Sequence, residues 1–250
     1  MTSWILRTIA ALVIGALLAI GLPEARSPLP AAVLAVAGDL STATRIAVLV
    51  PGADTTPANF HSGLGGVLRR SPAWQARQLA DAAGPGTAVV AWLGYDTPRG
   101  IGRTAIRSER AVAAADTLVR YVSGLPPHAT VVLVGHSYGS VVLAYAAPRL
   151  PVAVTDLVAI GSPGMDVDSV ADLRTTARLW AGSAPDDWTR RIPPLRVFGA
   201  GHGRHPTDPA FGALPLDVHD ADGHDGYFQP GTVSLASIAG VLDEKAVVSL

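Results

Sequence analysis

Apolar and polar positions along this chain follow two alternating rhythms. Short runs rich in Val, Ile, Leu and Ala stand at 46–50, 87–93, 130–134, 155–160, 178–181 and 195–198, and each predicts a strand. The main runs are continuously apolar, the mark of strands covered on both faces. Between the second and third, Ala111, Ala114, Leu118 and Val122 recur at helical spacing, with Asp116 and Arg120 as an i,i+4 pair on the polar side. Val233, Leu235, Ile238 and Val241 give a final helix over 231–242 the same spacing. Strands alternating with helices predict a largely parallel sheet with helices on both faces, an α/β architecture.

The N-terminal end has a different pattern. One positive charge, at Arg7, precedes an apolar run that reaches residue 22, followed at once by Pro23, Pro28 and Pro30. Residues 1–27 are expected to be a signal peptide or an N-terminal membrane anchor. Residues 28–44, rich in Pro, Ala and Gly, are expected to be a linker, with the folded domain over 45–250. The domain is therefore expected to be secreted or held on the outer face of the cytoplasmic membrane.

Composition mostly excludes. At 250 residues and 49% hydrophobic, the chain can bury one large core. A net charge of −1 with no basic stripe argues against nucleic acid as a partner. No cysteine is present, which removes disulfides, thiol nucleophiles and cysteine metal ligands. His202, His205 and Asp208, with the acids around Asp220, match no metal-ligand spacing, so neither metal nor cofactor is expected.

Chemistry concentrates at Gly135-His136-Ser137-Tyr138-Gly139, which follows the 130–134 strand and precedes an apolar helical stretch. Strand, G-x-S-x-G and helix in that order is the nucleophile elbow of the α/β-hydrolase fold, in which a tight turn lifts a serine hydroxyl clear of the sheet. Serine becomes a useful nucleophile when a histidine takes its proton and a carboxylate orients that histidine. After Ser137, acids at a strand end occur at Asp186 and Asp187. His224, between Gly223 and Gly226 ahead of the last helix, is the candidate base, with His219 as alternate. His136 is expected to be a satisfied core histidine, and His61 and His128 ordinary loop residues. An oxyanion hole would take the Tyr138 amide and, after the first strand's Pro51-Gly52 turn, the Ala53 amide.

Several segments together resemble the exported, largely uncharacterised α/β-hydrolases of actinobacteria, a family distantly similar to cutinases and small lipases. They are Leu49-Val50-Pro51-Gly52, Trp92-Leu93-Gly94-Tyr95-Asp96, Gly135 to Ser140, Gly161-Ser162-Pro163-Gly164, Asp187-Trp188-Thr189 and Gly223-His224-Asp225-Gly226-Tyr227. The resemblance implies a triad of Ser137, Asp187 and His224, with Asp186 as alternate acid because Thr189 departs from the family's apolar residue. Only 161–177 separates two strands at the usual cap insertion point, so a minimal cap and an open site are expected. The substrate class implied is a small-molecule or lipid ester, with possible membrane or cell-envelope association through the N-terminal segment. An acyltransferase with the same triad and a non-catalytic envelope-anchored binding module are the alternatives.

Overall fold

In the computed structural model, which describes residues 32–243, five apolar runs become the centre of a seven-stranded sheet. The strands are β1 (Val33–Ala37), β2 (Arg45–Val50), β3 (Thr87–Leu93), β4 (Thr130–His136), β5 (Val154–Ile160), β6 (Arg178–Gly182) and β7 (Leu214–Pro215). Their order is β1-β3-β2-β4-β5-β6-β7, all parallel except β1, which runs antiparallel to β3. β2, β3 and β4 are buried almost throughout, as continuous hydrophobicity requires of strands covered on both faces.

Four α-helices flank the sheet: α1 (Pro72–Ala83), α2 (Glu109–Ser123), α3 (Gly139–Ala146) and α4 (Val233–Val241). α1 packs with α4, and α2 with α3. Ser71 caps α1 by accepting from the Trp74 amide, with Pro72 in the first turn where its missing N–H costs nothing. α2 buries Ala111, Ala114, Leu118 and Val122, the stripe its spacing predicts. Asp116, however, pairs with Arg149 rather than with Arg120, whose guanidinium donates to Thr117.

Two expectations are corrected. The 28–44 stretch contains β1, whose residues 33–37 pair with 93–89, so the sheet begins before Arg45. The 195–198 run forms no sheet strand; Val197 and Ala200 exchange backbone hydrogen bonds in an exposed turn, and β7 takes the place beside β6. Residues 1–27 lie outside the described residues. No helix among the described residues is long and apolar enough to cross a membrane.

Parallel strands direct their carboxyl ends to one edge, and chain leaving β2, β4, β5 and β6 there builds a single cleft. The stretch 51–75 after β2 and residues 222–225 line much of it, and two further irregular segments, 96–108 after β3 and 183–213 between β6 and β7, complete its rim.

Candidate active site

Ser137 stands where β4 gives way to α3, with φ +54°, a left-handed conformation unusual for a residue with a side chain. Surroundings hold it there. Its amide donates to the Ile160 carbonyl at the end of β5, and its own carbonyl accepts from Ser140 Oγ at 2.7 Å. Gly139 is required by close approach: a Cβ there would fall 2.1 Å from the Val50 carbonyl oxygen. Gly52 also lies close, where a Cβ would meet the Ser137 Cβ at 2.7 Å and its Oγ at 3.2 Å.

The chain places Asp187 and His224 beside this turn. Gly161, next after the residue that binds the Ser137 amide, approaches both so closely that a Cβ would meet Asp187 Oδ2 at 2.8 Å and His224 Nδ1 at 3.0 Å. His224 Nδ1 lies 2.9 Å from both Asp187 oxygens. Ser137 and His224 line one cavity of about 500 Å³. No hydrogen bond joins Ser137 Oγ to His224 among the described residues; such bonds tighten as substrate binds.

Asp187 is buried and fully engaged. Thr189 donates to Oδ1 from its amide at 2.8 Å and its hydroxyl at 2.7 Å, and the Tyr227 hydroxyl donates to Oδ2 at 2.5 Å. Burial alone would raise the Asp187 pKa, but hydrogen bonds and charge from His224, with those from Tyr227 and Thr189, outweigh it and hold the carboxyl well below the usual range. Burial, reinforced by the adjacent carboxylate, pushes the Tyr227 hydroxyl far above its ordinary value and keeps it a donor. Thr189, the departure from the family pattern, thus supplies two of the hydrogen bonds on Asp187.

The alternates have other partners, although Asp186 lines the same cavity. Asp186 is exposed and accepts from the Gly223 amide at 3.0 Å, bracing the loop that carries His224. His219 is exposed and paired with Asp217 at 2.7 Å, away from the cavity lining. His136 is not a core histidine with its back to the site. Its ring lies 4.6 Å from that of His224, and its Nε2 donates to the His224 carbonyl at 2.8 Å. Burial and the neighbouring His224 lower its pKa to about 4, so the ring is neutral near pH 7.

Ala53 and Tyr138 both line the cavity, and neither backbone amide has a hydrogen-bond partner among the described residues. The Tyr138 side chain is buried, its hydroxyl donating to the Arg107 carbonyl at 2.7 Å. The elbow residue therefore offers the cavity its amide. Arg69 and Arg70 pair with Asp222 and Asp225, clamping both sides of His224.

Among the described residues no cluster of three or more His, Asp or Glu could hold a metal. His202 bonds Asp166 and the Ala105 carbonyl, His205 the carbonyls of Ser162 and Ile192, and Asp220 caps α4 through the Val233 and Ser234 amides.

Sequence reasoning missed Tyr227, Thr189 and the role of His136. The first two lie in segments already singled out, Gly-His-Asp-Gly-Tyr and Asp-Trp-Thr, and a donor beside each triad candidate was the available signal.

A seven-stranded, mostly parallel sheet with a serine elbow, and an aspartate-histidine pair at its carboxyl edge, define the α/β-hydrolase class. Residues 27–197 match the alpha/beta hydrolase family, and the chain belongs to it. It is 29% identical over 239 residues to the uncharacterized protein Rv2079 of Mycobacterium tuberculosis, covering 82% of this chain and 36% of that protein. To the uncharacterized protein Mb0988c of Mycobacterium bovis it is 32% identical over 176 residues, covering 65% and 64%. The chain thus spans about a third of the length of the first of these relatives. Among solved structures, esterase PE8 is similar at 19% identity and a TM-score of 0.49, over 84% of this chain and 97% of that one.

Proposed function

We propose that the protein is an exported serine hydrolase that cleaves carboxylic esters through an acyl-serine intermediate. The observation that carries this reading is Ser137 held in a left-handed turn beside a histidine whose Nδ1 is fixed by a buried carboxylate. His224 Nε2 takes the Ser137 proton as Oγ bonds the ester carbonyl carbon. The carbonyl oxygen gains the negative charge and lies against the Ala53 and Tyr138 amides. Collapse breaks the bond to the alcohol oxygen, which receives the proton from His224. Water, deprotonated by the same ring, then releases the acid and restores Ser137. Asp187 fixes the ring's tautomer and balances the imidazolium.

The test is labelling of the full chain with a fluorophosphonate, beside Ser137→Ala and His224→Ala. Labelling of the parent that vanishes in both variants is the expected result. A folded parent that takes no label overturns the reading. Export rests on the apolar run ending near residue 22 and is tested by fusing residues 1–44 to a reporter active only outside the cytoplasm. An inactive reporter rejects it.

A further inference from the structure

We propose that the rim of the cleft, built from 97–106 and 188–198, docks on a lipid bilayer that carries anionic headgroups. Two independent features coincide there.

The first is apolar exposure. Phe198 is 95% exposed and Ile101 74%, with Ile106, Leu195 and Val197 also exposed. Phe198 has φ +50° at the tip of the turn closed by Val197 and Ala200, a conformation that favours Gly or Asn. A large aromatic ring in that place gains nothing from the protein's own packing. The two segments are adjacent, since the Gly201 amide donates to the Ile106 carbonyl at 2.8 Å and His202 Nε2 to the Ala105 carbonyl at 2.7 Å. Ile101 and Ile106 also line the cavity, so the apolar surface runs from outside into the cleft. Contiguous exposed apolar surface at a site mouth marks an interaction surface.

The second feature is charge. Residues 97–106 and 188–198 contain five arginines and no carboxylate, in a chain whose acids slightly outnumber its bases. Arg99, Arg103, Arg190, Arg191 and Arg196 are exposed. Carboxylates just outside are engaged: Asp96 with Arg110, Glu109 with Arg107, exposed Asp186 with the Gly223 amide, Asp187 with His224, and Asp166 with His202 and Arg196. Exposed arginines on the same two segments as the exposed apolar residues match a surface of anionic headgroups over acyl chains. An apolar rim alone would not choose that charge.

The surface is independent of Ser137 chemistry, and its test keeps them apart. Because the chain has no cysteine, one introduced thiol takes one environment-sensitive fluorophore. Full-length Phe198→Cys, Ile101→Cys and Val152→Cys proteins are labelled and mixed with phosphatidylcholine vesicles, with or without phosphatidylglycerol. Val152 is 88% exposed and precedes β5, at the opposite end of the strands from the cleft.

On phosphatidylglycerol vesicles the labels at 198 and 101 are expected to shift to the blue and be quenched by spin-labelled lipid, while that at 152 does not. Arg190→Gln with Arg191→Gln is expected to weaken vesicle affinity by about fivefold per arginine at low salt. Placing Ser137→Ala behind the labels leaves the shift intact. Rim labels that stay aqueous on vesicles with which the protein sediments overturn the inference, assigning attachment to another segment. Equal insertion at 152, or equal insertion without phosphatidylglycerol, also overturns it. So does a shift that appears without lipid and grows with protein concentration, which would assign the rim to a second copy of the chain.

Discussion

Two aspartate-histidine pairs flank the same cleft, and the difference lies in what each histidine's other nitrogen meets. In both, Nδ1 reaches a buried carboxylate, at 2.9 Å for His224 on Asp187 and 3.0 Å for His202 on Asp166. His202 Nε2 is also occupied, 2.7 Å from the Ala105 carbonyl. Asp166 is further tied by Ser108 and the Tyr145 hydroxyl. That pair joins the two rim segments and leaves neither ring nitrogen without a partner. His224 Nε2 has no such partner among the described residues, and its ring lines the cavity. An Asp-His contact therefore identifies nothing by itself. What separates a clamp from a base is the open nitrogen near a nucleophile.

The largest expected effects test that distinction directly. Ser137→Ala and His224→Ala are each expected to lower kcat by about a millionfold, and Asp187→Asn by about ten-thousandfold, with thermal midpoints near the parent's. Single-turnover assays on a chromogenic ester, with circular dichroism melts, provide the check. If His202→Ala stays folded and loses as much turnover as His224→Ala, the two pairs do the same work and the distinction fails.

His202→Ala is expected instead to act on stability. It takes one hydrogen-bond partner from the buried Asp166 carboxylate, and losing a buried partner costs about 1–3 kcal/mol. Urea unfolding at neutral pH measures the loss. A midpoint unchanged from the parent's would remove the clamp role.

Acid sharpens the comparison because both carboxylates are held below their ordinary range. For Asp166 burial again opposes ionisation, and hydrogen bonds from His202, Ser108 and Tyr145 outweigh it. A carboxyl depressed in the folded state contributes stability above its unfolded pKa, about 3.9, and loses it as pH falls through the lower folded value. Urea midpoints are therefore expected to fall below about pH 4, with a shallower fall in Asp166→Asn. An equally steep fall in that variant would place the acid sensitivity elsewhere.

Legibility followed burial. β2 to β6 were readable because strands buried on both faces must be apolar throughout. β1 was not, since Val33–Ala37 alternates half-buried and exposed positions within a segment whose prolines and glycines suggest a linker. Residues 195–198 have strand-like composition, but Pro193 and Pro194 precede them and no neighbouring strand receives their hydrogen bonds. β7, two residues ending in proline, carries too little pattern to register. The serine, aspartate and histidine candidates were legible because their order and turn glycines are linear features. The groups that hold them, Tyr227 from 40 positions beyond Asp187 and His136 from 88 before His224, depend on how loops meet.

The smallest predicted effect asks how much that support contributes. Tyr227→Phe removes the donor to Asp187 Oδ2 and the acceptor of the Ala184 amide, whose hydrogen bond is 3.0 Å. Losing a buried partner costs about 1–3 kcal/mol, which a urea titration reads. Turnover separates support from packing. If Tyr227 helps keep Asp187 ionised and aimed, kcat falls by about tenfold while KM holds, because the imidazolium is balanced only as the proton moves. Thr189→Val removes a donor to the other oxygen and is expected to show the same split more weakly, since the backbone amide at 189 remains. Equal changes in kcat and KM for both variants would mean that the loop has moved and the carboxylate's environment has not been isolated.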